Sequence, residues 1–316
     1  MNKMKCTVCK REAFVKLPAH NAKFCPDHFD QFFLRQVSRL IKKFRMLRPG
    51  ARVLVAVSGG KDSLTVVDVL HRLGYQVTGF HVNVGIKENN FSEESEAVTI
   101  SFFEKLGLPL KIINLEKEYG RNITTFARRF PRLCAVCGLT KRHLMNDYAL
   151  AGRFSCVATG HHLDDLASSL LANVLRWDLS YLAKNLPVLP AEGPFAKKIK
   201  PLALLSEEEV RIYSELRGIK PVTAVCPYSK EAKFKRYKFF LNELEKQSPG
   251  MKRAFYENYL KVAGIFEKAG TSELPLRNCK ICGGPTPSEI CTFCRLWNRT
   301  QSAQEEDQEI NLGDGN

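Results

Sequence analysis

The stretch Val53-Leu54-Val55-Ala56-Val57-Ser58-Gly59-Gly60-Lys61-Asp62-Ser63 decides how this chain folds. Its apolar half is the continuous run that a parallel strand buried on both faces requires. From Leu64 to Leu73 apolar residues recur at helical spacing, so the glycines lie in a turn from strand to helix. Glycine lets a backbone approach a polyanion, and the free N–H groups of a first helical turn point at it. Ser58 and Ser63 add hydroxyl donors, and Asp62 falls where a helix cap is expected. The turn therefore predicts a nucleotide held through its phosphates. It is not a Walker loop, whose lead-in before Gly-Lys-Ser/Thr is missing, nor the dinucleotide Gly-x-Gly-x-x-Gly.

Outward from this turn, residues 51 to about 200 alternate strand and helix. Strands are expected at 53–57, 76–82, 110–114 and 156–159, and helices near 62–73, 92–106, 137–150 and 163–175. Such alternation predicts the α/β class: a doubly wound parallel sheet, covered on both faces, with ligands beyond the carboxyl ends of its strands. His81-Val82-Asn83 and Thr159-Gly160-His161-His162-Leu163-Asp164-Asp165 follow two other strands, so three polar tips converge on one crevice. Of the adjacent Asp164 and Asp165, one can cap the next helix while the other binds magnesium or orients a substrate proton. His161 and His162 lack metal-ligand spacing and read as hydrogen-bonding residues of the crevice.

The net charge of +15 implies an anionic partner larger than a nucleotide, and nucleic acid is the economical choice. No run of about 18 apolar residues is present to span a membrane. No apolar signal segment follows Met1, so a cytoplasmic location is expected. Eleven cysteines then point to metal or redox chemistry rather than disulfides. Cys6-x-x-Cys9 with Cys25-x-x-His28, and Cys279-x-x-Cys282 with Cys291-x-x-Cys294, each offer four N/S ligands on two short turns. Both sets suit closed, structural zinc sites, and modules this small need metal to fold. RNA contact by the same knuckles is compatible with that role.

Cys134, Cys137 and the isolated Cys226 remain. Three thiolates leave a zinc shell incomplete, but they can hold three corners of a [4Fe–4S] cluster and leave one iron open to a sulfur ligand. Spacing also allows a persulfide relay that closes a disulfide on turnover, or a Cys226 that is simply buried. Cys156 sits in an apolar run and reads as packing; as a fourth ligand it would fill the open corner. Lys141 follows Cys137 by one helical turn and shares its face, as a cation beside these thiols or as a solvated lysine.

Two further segments read as helical. Between Phe29 and Met46, Phe29, Phe32, Phe33, Val37, Leu40, Ile41 and Phe44 line one side, which serves as core or as the contact of a homodimer. Residues 206–264 begin with Ser206-Glu207-Glu208-Glu209, an acidic first turn. Within them Lys230, Lys233, Lys235, Arg236 and Lys238 interleave with Phe234, Tyr237, Phe239 and Phe240. That mixture suits single-stranded RNA and also an ordinary amphipathic helix. Residues 301–316 are acidic and polar, and read as a disordered tail.

Ser58-Gly59-Gly60-Lys61-Asp62-Ser63 after a strand resembles the PP-loop of the ATP pyrophosphatases. With the flanking zinc-type pairs, Cys134-x-x-Cys137 and Cys226-Pro227-Tyr228-Ser229, the chain resembles the tRNA 2-thiolation proteins of the TtuA type over about residues 3–297. The related TtcA enzymes share the PP-loop core but lack the flanking pairs. This resemblance implies that Ser58, Gly59, Gly60, Asp62 and Ser63 wrap ATP phosphates, and that Ala56, His81 and Gly160 lie along the nucleotide. It implies a [4Fe–4S] cluster on Cys134, Cys137 and Cys226, with Lys141 and Asp165 catalytic. The reaction would be adenylation of a uridine O2 with ATP and Mg2+, then sulfur transfer, at position 54 of tRNA. The sulfur would come from a ubiquitin-like carrier ending in a thiocarboxylate. The alternatives are thiolation at position 34 or 32 by a persulfide relay, and a PP-loop RNA modification without sulfur. The chain then divides into a zinc finger (1–28), a linking helix (29–50), the ATP-binding domain (51–205), a helical RNA-contacting extension (206–270), a zinc ribbon (271–300) and the tail.

Overall fold

The structure, a computed structural model, describes residues 4–130, 132–231, 234–269 and 276–297. The tail at 301–316 and the side chains of Lys230, Lys233, Phe234 and Lys235 lie outside the described residues. A hairpin of β1 (Val15–Leu17) and β2 (Ala22–Phe24) leads into α1 (Pro26–Lys43). The alternating region follows as β3 (Arg52–Val57), α2 (Lys61–Arg72), β4 (Gln76–Asn83), α3 (Phe91–Leu106), β5 (Leu110–Asn114), α4 (Leu115–Tyr119), α5 (Leu133–Ala151), β6 (Cys156–Ala158) and α6 (Leu163–Val174). Then come α7 (Leu179–Lys184), β7 (Val188–Leu189), β8 (Lys198–Ile199), α8 (Glu207–Leu216), α9 (Phe234–Gln247) and α10 (Met251–Ala269). A last hairpin, β9 (Arg277–Asn278) and β10 (Pro285–Thr286), precedes α11 (Thr292–Trp297).

The main sheet runs β5-β4-β3-β6-β8-β7, parallel except for β7, which pairs antiparallel with β8. This is the expected doubly wound α/β arrangement. Alternate side chains of a strand face opposite ways. Val53, Val55 and Val57 accordingly join the apolar core on one face, and Leu54 joins the core on the other. The chain leaves β3 towards β4 and β5, then crosses through α5 to β6 on the other side of β3. Strand order therefore reverses at β3, and a crevice opens beyond the carboxyl ends of β3 and β6. Strands β7 and β8 were not expected from the sequence, because two residues each are too few to show a period. Helix α5 starts a turn earlier than expected, so Cys134 and Cys137 both ride on it.

Helix α1 belongs to the core. Phe29, Phe33, Val37, Leu40 and Ile41 are buried, and the Phe33 ring stacks on Tyr213 of α8 at 4.0 Å. The Tyr213 hydroxyl donates to Asp68 at 2.6 Å, and Arg72 donates to both Asp30 oxygens at 2.6 and 2.7 Å. These bonds tie α1, α2 and α8 together. Most of the apolar face of α1 is thereby used within the chain. Among the described residues no helix is long and apolar enough to cross a membrane. Phe33→Ala should empty a sealed site and lower stability by about 3–5 kcal/mol. Urea unfolding measures this, and a loss below about 1 kcal/mol would contradict the packing described.

Candidate active site

The glycine turn is shaped by close contacts on both sides. Gly60 is the N-cap of α2 and Asp62 falls inside the first turn, so the expected capping role of Asp62 is not observed. Ser63 closes the turn instead: its Oγ accepts the Ser58 N–H at 3.2 Å and donates to the Gly60 carbonyl at 3.0 Å. Gly59 has φ +73°, and a Cβ there would lie 2.9 Å from the Ser95 carbonyl of α3. Across the crevice, a Cβ on Gly160 would sit 2.8 Å from the Ser63 nitrogen. Bare backbone is thus what allows the loop after β6 to reach the first turn of α2. Such a cradle of free N–H groups fits a polyphosphate.

His81 lies in β4 directly opposite Val57. Its Nδ1–H donates to the Val57 carbonyl at 3.0 Å, which leaves Nε2 buried and without a partner among the described residues. Burial pushes its pKa down to about 4, and the positive charge of Lys141 on α5 adds to the shift. The ring is therefore neutral and keeps an acceptor available for a ligand. Ala56 lies half-buried one residue before Val57, packed on the same apolar cluster as Cys137, Cys226 and Tyr228.

Cys226 is led to this place by the glycine turn itself. The Val222 N–H donates to the Gly59 carbonyl at 2.9 Å, and Glu94 accepts from Thr223 and Ala224. Four residues later Cys226 faces α5, where the Cys134 thiol donates to the Tyr228 carbonyl at 3.2 Å. Cys137 and Cys226 pack against the same apolar cluster, and Cys134 contacts the segment just after Cys226. Among the described residues, the sets whose ligand atoms all lie within 4.8 Å of one another are Cys6, Cys9, Cys25, His28 and Cys279, Cys282, Cys291, Cys294. Cys134, Cys137 and Cys226 do not form such a compact set. Cys156 belongs to the core on the opposite face of the sheet, and burial pushes its thiol up to about 12. It is a packing residue and does not fill the fourth corner.

The two compact sets have the donors and closeness that zinc requires. Burial raises the Cys279 thiol, but backbone N–H groups of Cys291 and Cys282 outweigh it and bring it down to about 6. The C-terminal set is fastened to α5: the Trp297 indole N–H donates to Thr140 at 2.9 Å, and Phe293 stacks on His143 at 4.0 Å.

The adjacent aspartates do not divide their roles as the sequence suggested. Asp164 is buried, bonded to the Lys252 ammonium and to the Glu207 N–H at 2.7 Å, and it joins α6, α8 and α10. Asp165 takes the capping contact, accepting the His162 N–H at 3.4 Å at the start of α6, and its carboxylate is part-exposed on the crevice. His162 is buried with Nε2 3.4 Å from Asp165 and 4.0 Å from Asp62. His161 is exposed and pairs with Thr159 at 2.8 Å. Sequence reasoning missed Glu207 and Lys238 as residues of the mouth, because they enter from helices remote in the chain.

A family model described as the PP-loop domain matches residues 30–236. Another, described as the N-terminal LIM domain of the 2-thiouridine synthetase TtuA, matches residues 5–30. The chain belongs to the PP-loop family, in its TtuA-type branch. The tRNA-5-methyluridine(54) 2-sulfurtransferase of Pyrococcus horikoshii is 42% identical, over 93% of this chain and 94% of that protein. The protein of the same description from Thermus thermophilus is 42% identical, over 93% of this chain and 91% of its own length. Among solved structures, the U34-tRNA thiolase NcsA of Methanococcus maripaludis, with its [4Fe–4S] cluster, matches with a TM-score of 0.79. It is 26% identical and the match covers 95% of this chain and 97% of that one.

Two outcomes follow from this geometry. Gly160→Ala should force the β6 loop away from α2 and weaken ATP binding by about tenfold or more. Calorimetric titration reads this, and unchanged affinity would count against the cradle. For His81 the folded-state pKa of about 4 lies below the ordinary 6.5, so the unfolded chain takes up the proton first as pH falls. Its share of stability is complete above that ordinary value and is lost on acidification, by about 3 kcal/mol. Denaturant midpoints at several pH values should show a flatter acid limb for His81→Gln.

Proposed function

We propose that this protein is an ATP-dependent tRNA 2-sulfurtransferase that replaces O2 of uridine 54 by sulfur. The observation that carries the proposal is the gathering of Cys134, Cys137 and Cys226 beside the glycine turn, with Cys156 sealed on the far face of the sheet. Position 54 is favoured by the more similar relatives, whose names specify it, and by the TtuA-type N-terminal module. The solved U34 thiolase is the more distant match.

A pyrimidine C2 carbonyl is a poor electrophile because its oxygen leaves badly. In this reading O2 attacks the α-phosphorus of ATP, and pyrophosphate departs. A sulfur nucleophile then adds at C2, and AMP leaves with the former O2. Gly59, Gly60, Asp62 and the hydroxyls of Ser58 and Ser63 surround the phosphates, while Ala56, the neutral His81 and Gly160 lie along the nucleoside. Lys141 supplies positive charge where the phosphorane develops and where the phosphate of AMP departs. Asp165 binds Mg2+ at the phosphates. Cys134, Cys137 and Cys226 fit a [4Fe–4S] cluster, which when bound supplies a metal corner open to a sulfur ligand. The two compact Cys/His sets hold structural zinc.

The RNA would lie along α9, where Arg236, Phe239 and Phe240 are exposed in a strongly basic chain. A ubiquitin-like thiocarboxylate carrier supplies the sulfur, and the enzyme acts in the cytoplasm as a homodimer.

Deleting the gene should remove the 2-thiolated nucleoside at position 54, as read by mass spectrometry of tRNA digests. Lys141→Ala and Asp165→Ala should each lower turnover by about a hundredfold while tRNA still binds. Protein purified without oxygen should contain about four irons per chain. An iron-free active enzyme carrying sulfane sulfur on Cys226 would replace the cluster route by a persulfide relay. Unchanged nucleosides in the deletion strain would reject the reaction itself.

A further inference from the structure

Glu207, the first residue of α8, holds two ammonium groups at once. Lys61 of α2 lies 3.3 Å from one carboxylate oxygen, and Lys238 of α9 lies 2.7 Å from the other. Lys61 also pairs with Asp62 at 3.0 Å, and Lys238 lies 3.7 Å from Asp165. A row of alternating charges, Asp62–Lys61–Glu207–Lys238–Asp165, thus crosses the mouth of the crevice. These side chains are 25–39% exposed, so the row lines an open groove. Burial pushes the Glu207 carboxyl up, yet Lys238 first and Lys61 next bring it down to about 2. It is ionised at every working pH.

We infer that Lys238 is a second phosphate-binding lysine of the nucleotide site, acting beside Lys61 on the β- and γ-phosphates of the triphosphate. The inference rests on the ATP-dependent reading above and assigns a residue that no motif in the chain marks. A part-exposed lysine–carboxylate pair contributes little to stability, and an ammonium on a flexible stem exchanges one oxyanion partner for another at small cost. Glu207 therefore parks both lysines within reach of the turn where the phosphates lie.

The local charge balance adds a condition. Three carboxylates (Asp62, Asp165 and Glu207) face two ammonium groups, so the row is negative by one charge. A divalent cation would ease the entry of a polyanion there. Asp62 and Asp165 would hold Mg2+, whose charge would reverse the balance and free both lysines for phosphate. Lys238 is then placed to neutralise the pyrophosphate as it leaves. Because α9 also presents Phe239 and Phe240 to solvent, one helix meets both the triphosphate and the RNA.

The test is calorimetric titration of metal-loaded protein with Mg-ATP, Mg-pyrophosphate and AMP. Lys238→Met should weaken ATP and pyrophosphate by about tenfold or more and leave AMP within about twofold, with most of the loss restored in Lys238→Arg. Glu207→Gln should bind pyrophosphate as well as wild type or more tightly, because it removes the competing oxyanion. Unchanged pyrophosphate affinity in Lys238→Met would overturn the inference. So would an equal loss in Glu207→Gln, which would make Lys238 a strut for α8. Wild-type protein that binds no ATP would overturn the nucleotide reading and this inference with it.

Discussion

At Gly160 the loop after β6 comes so close to the first turn of α2 that no side chain fits between them. That contact sets the width of the crevice. It leaves the first N–H groups of α2 facing the gap rather than covered by a side chain, and it brings Asp165 and His162 alongside Asp62. On the other flank Ser95 presses on Gly59 and donates to the Ser58 carbonyl at 2.8 Å. The turn is therefore held between two neighbouring elements, which is what preorganised phosphate binding demands.

The sheet also partitions the chemistry. The N-terminal hairpin and α1 add to the apolar core on one face, together with Cys156. The C-terminal Cys set packs on the other face, with Cys137 and Cys226. A buried neutral thiol and the crevice thiols are thus only a sheet's thickness apart yet chemically separate. The small C-terminal module, through Trp297 and Thr140, also steadies the helix that carries Cys134, Cys137 and Lys141.

Electrostatics work at two ranges. The overall charge of +15 draws in an RNA backbone over distances of about a Debye length. Within the crevice the balance reverses, because the helix N-termini of α2, α6 and α8 are furnished with carboxylates. Asp62, Asp164, Asp165 and Glu207 each combine a helix end with a lysine partner. The crevice and the outer surface thus differ in the sign of their local charge.

Much of this was legible in one dimension because its causes are local. A strand–turn–helix with two glycines, paired Cys-x-x-Cys and Cys-x-x-His turns, and a parallel sheet marked by apolar alternation each depend on neighbours in the chain. Residue type and spacing suffice for them. Position in space did not follow from spacing. The division of labour between Asp164 and Asp165 depended on Lys252 and on the Glu207 N–H, nearly ninety and more than forty residues away. The core role of α1 depended on Tyr213, and the exclusion of Cys156 on which sheet face it occupies. The pairing of Lys61 with Lys238 through Glu207 depended on three helices meeting. Burial and long-range charge are properties of assembled elements, so the folded chain alone could decide them.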